Sequence, residues 1–177
     1  MGRIILEGFM GSGKSTYGRI LSREFLLSFA DTDKEIEKAE GSSINVIFEK
    51  HGEEYFRDLE TSYLRKLSRS DICKDGVVSL GGGMPVREEN RRLLRECGTV
   101  VYIRASRELL KERLRERSAK RPLLKGENVD EKVDSLMDKR EELYLDAADH
   151  VVDIDGKEIY EVVNELKRIY NRGRKGH

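Results

Sequence analysis

Between Gly8 and Thr16 the chain reads Gly-Phe-Met-Gly-Ser-Gly-Lys-Ser-Thr, which fills the pattern G-x-x-x-x-G-K-[ST] with Gly8, Gly13, Lys14 and Ser15. That pattern needs a strand before it and a helix after it. Ile4-Ile5-Leu6 reads as a short buried strand, and Ser15 through Leu27 as a helix with Tyr17, Ile20, Leu21 and Phe25 on one side. Glycines let the backbone wrap an anion, so that successive N–H groups point at its oxygens. The helix begins where its amides are unpaired and its dipole is positive, which favours bound phosphate. Lys14 adds a cation for the outer phosphates, and the Ser15 hydroxyl is suited to a magnesium ion. A chance glycine turn capping a helix is the alternative. The filled positions and the flanking strand and helix favour a nucleotide-binding loop.

The rest of the chain alternates strands and helices. Leu26 through Ala30 is a candidate second strand that delivers Asp31-Thr32-Asp33. In extended backbone, residues two apart face one side, so both carboxylates would share a space beside the phosphate loop. There one would organise the water around a metal and the other would meet a substrate hydroxyl. The competing reading has Asp33 capping a helix that starts near Lys34. A short helix from Gly41 to Gly52 and a longer one from Glu53 to Leu67 follow. Arg57 and Glu60, three apart on one helical face, form a surface ion pair or, alternatively, turn inward to hold a carboxylate. Gly76–Leu80 is a third strand, ending in Gly81-Gly82-Gly83, where bare amides can lie against a ligand or a turn can simply flex. Ligands bind at this edge of open α/β sheets. A helix over Arg87–Glu96, a strand over Thr99–Arg104 and a helix over Arg107–Arg117 come next.

From Arg117 to Asp130 the periodicity fails, and the basic run containing Arg121-Pro122 suits a lid over nucleotide as well as a passive loop. A helix over Asp130–Ala148, a strand over His150–Asp153 and a closing amphipathic helix bearing Ile159, Val162, Val163, Leu166 and Ile169 complete the pattern. The tail Asn171–His177 is expected to be disordered. The alternation predicts a parallel sheet covered on both faces, with right-handed crossovers.

At 177 residues the chain suits one domain. It has no apolar run of the ~20 residues that a membrane span needs and no signal-peptide pattern, so a cytoplasmic location is expected. Acidic and basic residues balance at 34 each, which gives no global field toward nucleic acid or membrane. Cys73 and Cys97 stand apart, with neither metal-ligand nor disulfide spacing.

Six elements occur in one order: the phosphate loop, Asp-Thr-Asp, Phe-Arg-x-x-Glu, Gly-Gly-Gly, Arg-Pro-Leu-Leu and Arg-x-x-Leu-Tyr. From Ile4 to about Lys157 the chain resembles the shikimate kinases. The resemblance implies a nucleoside-monophosphate-kinase-like, three-layer α/β fold with a mobile lid and a five-stranded parallel sheet in order 2-3-1-4-5. It implies transfer of the ATP γ-phosphoryl group to the 3-hydroxyl of shikimate, with Mg²⁺, by a monomer. Gly11, Ser12, Gly13, Lys14, Ser15 and Thr16 are then expected on the ATP phosphates, with Lys14 on the β and γ oxygens. Ser15 would ligate magnesium, and Asp31 would reach it through water. Asp33 would bind substrate hydroxyls and act as base, Arg57 and Arg140 would grip the carboxylate, and Gly82 would add a backbone contact. Phe48 and Phe56 would wall the pocket, Arg121 would be the lid arginine on ATP, and Arg117 and Asp153–Lys157 would approach adenine. Glu7 departs from what such a loop leads one to expect, since an acid beside phosphates is unfavourable unless it points away or pairs with a cation. A gluconate or nucleotide kinase would share the loop but not explain Asp33, Arg57 and Arg140 together. A binding module without turnover would not need Lys14, Ser15, Asp31, Asp33 and Arg121 intact.

The charged fraction is 38%, Gln and Trp are absent, and Glu, Lys and Arg interleave along the helices. This is the composition expected where ion-pair networks work at high temperature. A calorimetric midpoint above the roughly 45–65 °C of mesophilic domains is expected, and one inside that range would remove the reading.

Overall fold

The computed structural model describes residues 2–119 and 128–175, with side chains for 2–116 and 128–173. The elements, in order, are β1 (Ile4–Glu7), α1 (Lys14–Glu24), β2 (Ser28–Asp31), α2 (Thr32–Glu40), α3 (Ile44–Ser68), β3 (Gly76–Ser79), a 3₁₀ turn (Met84–Val86), α4 (Glu88–Cys97), β4 (Thr99–Arg104), α5 (Arg107–Ala119), α6 (Val129–Ala147), β5 (His150–Asp153) and α7 (Ile159–Lys175). The strands form one sheet in the order β2-β3-β1-β4-β5, every pair parallel. This is the fold expected from the sequence.

The central strands β1 and β3 are buried along their whole length, as a parallel sheet covered on both faces requires. Alternation then sorts their side chains. Ile4 and Leu6 pack with Tyr17 and Leu21 of α1 and with Val162, Val163 and Leu166 of α7. Ile5 and Val78 pack with Leu64 and Leu67 of α3, Leu94 of α4 and Ala147 of α6 on the other face. Each fully buried aliphatic side chain contributes about 1.5–3 kcal/mol. A third, smaller cluster of Ile36, Ile47 and Phe56 joins α2 to α3. Arg3, itself buried, donates to the carbonyls of Ser70, Ile72, Cys73 and Cys97 and so ties the loop before β3 to the end of α4. Ion pairs stitch the surface between helices: Arg87 to Glu54 and Asp58, and Arg91 and Arg95 to Asp146. Among the described residues, no helix is long and apolar enough to cross a membrane.

Several boundaries differ from expectation for physical reasons. Leu26 does not begin β2. It sits at φ 53 in the turn after α1, almost wholly exposed, and the strand starts at Ser28. Asp31-Thr32-Asp33 is not extended, because β2 ends at Asp31 and α2 begins at Thr32. The cap is Asp31, whose side chain accepts from the Lys34 N–H, and Asp33 lies in the first turn. The helices expected either side of Gly52 do meet there, at φ 83 and ψ 172, which breaks α3 into two segments. The closing helix runs on to Lys175, so Asn171–Lys175 is helical rather than disordered. Buried Tyr170 anchors this end against Phe25, with ring centroids 5.3 Å apart. Of the segment expected as a lid, 117–130, α5 extends to Ala119 and α6 starts at Val129, capped by the Asn128 side chain on the Glu131 N–H. Residues 120–127, Arg121 included, lie outside the described residues.

Candidate active site

The phosphate loop leaves the carboxyl end of β1 beside the end of β3, with Leu80 N–H bonded to the Leu6 carbonyl at 2.9 Å. Its backbone has positive φ at Gly8, Gly11 and Gly13 (141°, 86° and 97°), the left-handed winding that glycine allows. Gly11, Gly13, Lys14, Ser15 and Thr16 line a small concavity there, at the start of α1. Ser12 is fully buried and its hydroxyl has no partner among the described residues. The Lys14 ammonium is buried and donates to the carbonyls of Gly8 (2.8 Å) and Phe9 (2.9 Å).

Ser15 Oγ donates to Asp31 Oδ2 at 2.6 Å and lies 3.1 Å from Ser79 Oγ. These oxygens are the hard donors that magnesium takes, and the ion normally completes its shell with phosphate oxygens and water.

The second half of the site is built on Gly81-Gly82-Gly83. A Cβ at Gly81 would collide with Asp33 Oδ1, and one at Gly83 would collide with the Arg57 guanidinium. Arg140 Nη1 lies 3.5 Å from the Gly82 carbonyl, which also accepts from the Tyr144 hydroxyl at 2.5 Å. The other side of Gly82 faces the phosphate loop, where a Cβ would stand 3.3 Å from Gly8 O and Met10 N. Asp33, Arg140 and Arg57 therefore meet on three successive residues, beside the nucleotide cradle. Phe48 and Phe56 pack as a tilted pair with ring centroids 5.0 Å apart, and Arg57 lies 5.6 Å from the Phe56 ring centre.

Burial and like charge set the electrostatics. Asp33 is pushed above the usual carboxylate range, first by burial and then by the Asp31 charge. Its Oδ1 and the Oε1 of Glu60 lack partners among the described residues, and a Cβ on Gly81 would touch both. Two bare acceptors here suit the hydroxyls of a polyol. Glu60 is buried and raised to about 7 by desolvation, against the pull of Arg57 at 2.6 Å. The Arg57–Glu60 pair is thus an inward pair rather than a surface one, and Glu53 holds Arg57 from the outer side at 2.8 Å.

Four contributors escaped the sequence reading. Ser79 joins Ser15. Thr32 Oγ1 accepts from the Gly81 N–H at 2.8 Å, Tyr144 holds Gly82, and Arg113 donates to the Gly11 and Ser12 carbonyls, both at 3.1 Å. The Arg-x-x-Leu-Tyr spacing held a signal for Tyr144, since Tyr144 lies one turn beyond Arg140 on α6. The Asp153–Lys157 segment lies at the end of β5, with Asp153 on Arg104, Asp155 on Ser106 and Lys157 on Glu165.

A profile of the family described as shikimate kinase matches residues 10–170. The chain belongs to the shikimate kinase family. A shikimate kinase of Geobacter metallireducens is 45% identical over 163 residues, covering 92% of this chain and 88% of the relative. The solved shikimate kinase of Acinetobacter baumannii, in complex with shikimate, superposes with a TM-score of 0.85 at 34% identity, covering 97% of this chain and 94% of that one. The Aquifex aeolicus shikimate kinase gives 0.78 at 40% identity, with 98% of each chain covered.

Glu7 is the site's anomaly. It shares a strand face with Ile5, is fully buried, and has no partner for either carboxylate oxygen among the described residues. Desolvation, moderated by the Lys14 and Arg91 charges and reinforced by Asp149 and Asp146, raises its pKa to about 9. At neutral pH it is therefore an uncharged acid, which removes the conflict with bound phosphate. Between 4.5 and about 9 the folded chain holds a proton that the unfolded chain releases, so this residue's contribution falls as pH rises through that interval. Glu7→Gln is expected to be more stable than the parent by a margin that widens with pH, reaching roughly 2–4 kcal/mol near pH 8. Urea melts at a series of pH values measure it, and a constant margin would mean an ionised, partnered carboxylate.

Proposed function

We propose that this chain transfers the γ-phosphoryl group of ATP to the 3-hydroxyl of shikimate, giving shikimate 3-phosphate and ADP. The observation that carries this is the convergence of one acid and two guanidinium groups on Gly81–Gly83, against the phosphate loop. A ring acid bearing hydroxyls presents one carboxylate and several donors. Planar guanidinium forks from Arg57 and Arg140 bind the former in bidentate fashion, and Asp33 accepts from the latter. The Gly82 backbone lies against the ring.

Phosphoryl transfer demands positioning and neutralisation of charge more than covalent help. Gly11, Ser12, Gly13, Ser15 and Thr16 hold the phosphates, and Lys14 passes from the Gly8 and Phe9 carbonyls to the β and γ oxygens. Ser15 would hold Mg²⁺ directly and Asp31 through water, where the ion supplies positive charge to the phosphate oxygens. Asp33 takes the proton of the attacking hydroxyl as its oxygen bonds to phosphorus and the bond from phosphorus to the ADP oxygen breaks. The raised affinity of Asp33 for a proton suits this role, because a base that is too acidic takes a proton poorly. Arg121 neutralises the transferring group, and Arg117 and the Asp153–Lys157 segment approach adenine. One domain from 1 to 177, acting as a monomer in the cytoplasm without nucleic-acid or membrane partners, completes the reading. The even charge balance supports the absence of nucleic-acid and membrane partners.

A coupled ADP-release assay tests it: ADP formation should depend on shikimate, and shikimate-independent release, or none, would defeat the reading. In the same assay Asp33→Asn should lower kcat by about 10²-fold or more with nucleotide affinity kept, and near-normal turnover would remove Asp33 from the chemistry. Arg140→Lys should raise the shikimate KM by about 10-fold or more, and an unchanged KM would take Arg140 out of the carboxylate site.

A further inference from the structure

Helices α5 and α6 run side by side, and their facing stripes carry opposite charge at matched spacing. Arg107, Lys111 and Arg115 recur every fourth residue on α5; Asp130, Asp134 and Asp138 do so on α6. They pair as rungs of an antiparallel ladder. Arg115 takes Asp130 through two bonds, one of 2.8 Å from Nε. Lys111 meets Asp134 at 2.8 Å, and Arg107 meets Asp138 at 2.7 Å, with Asp134 and Glu141 at 3.8 and 3.9 Å.

Each helix uses another face to touch one half of the site. From α5, Arg113 holds the Gly11 and Ser12 carbonyls, and Leu114 lies 3.5 Å from where a Cβ on Gly11 would stand. From α6, Tyr144 and Arg140 reach the Gly82 carbonyl. Together with the buried cluster that Leu110 shares with Val133 and Met137, the ladder spans the seam between the helix that rests on the nucleotide cradle and the helix that carries Arg140.

We propose that Arg107, Lys111 and Arg115, with Asp138, Asp134 and Asp130, are positioning residues that couple nucleotide binding to shikimate binding. The proposal rests on the acid subsite assigned above. Phosphates that draw in the loop around Gly11 and Ser12 shift α5. Through the rungs, that shift seats α6 and Arg140 for the carboxylate. Linkage then demands that each ligand raise the affinity of the other by one common factor.

Calorimetric titration of shikimate, with and without saturating Mg·ADP, reads that factor. The wild type is expected to show at least about five-fold tighter shikimate binding with nucleotide. Lys111→Glu and Asp134→Lys should each bring the ratio toward one, while shikimate affinity without nucleotide and the melting midpoint stay near wild type. The double variant, which restores an opposite-charge rung, should recover the ratio. Arg140→Lys, by contrast, should weaken shikimate binding with and without nucleotide. A wild-type ratio near one, or single variants that keep the full ratio, would overturn the coupling and leave the acid subsite standing. Absence of shikimate binding to the wild type would overturn both.

Discussion

Everything in the site depends on backbone left bare at one sheet edge. Parallel pairing of β1 with β3, Ile4 against Val77 through Leu6 against Ser79, brings the exits of the two strands level. One exit becomes the phosphate loop and the other becomes Gly81–Gly83. With no side chain on the second, the space a Cβ would take is filled by Asp33 at Gly81 and by Arg57 at Gly83, and Gly82 can approach the loop. Packing rather than hydrogen bonding thus decides that the acid and the guanidinium groups share a pocket. The carboxyl end of the strands is the general location for ligands in open α/β sheets, and here the glycines supply the room.

That crowding has electrostatic consequences. Glu7 and Asp33 feel the Lys14 charge, Asp33 and Glu60 that of Arg57, and Asp31 adds like charge beside Asp33. Taking carboxylates out of water is unfavourable, and a buried pair such as Arg57–Glu60 stabilises a fold little if at all. Glu60 holds Nη1 of the guanidinium from inside the site, while Glu53 takes Nε and Nη2 from the outer side. Glu7 answers the same pressure in the opposite way, by keeping its proton.

The phosphate loop, the strand–helix alternation and the glycine triplet were legible because each is a local pattern of a few residues with its own stereochemical reason. The inward turn of Arg57 was not, since three-residue spacing on a helix fits a surface pair equally well; only the series of motifs shared with the family pointed inside. The Asp31 charge does reach Asp33, but from a strand end to the first turn of a helix rather than along extended backbone. Ser79, Thr32 and Arg113 were illegible for a common reason. Their partners stand 64, 49 and 102 residues away, and nothing local marks such contacts. Glu7 was visible as an anomaly, but its meaning needed the burial that only the fold supplies.

The resting place of Lys14 has one last implication. Its ammonium is already stripped of most water and held by two carbonyls of the loop it serves, Gly8 and Phe9. Dehydration and rotamer freezing, which usually oppose capture of an anion, are complete before any ligand arrives. What remains is an exchange of one set of oxygens for another. A cradle wired this way can grasp a triphosphate and still let the spent diphosphate go.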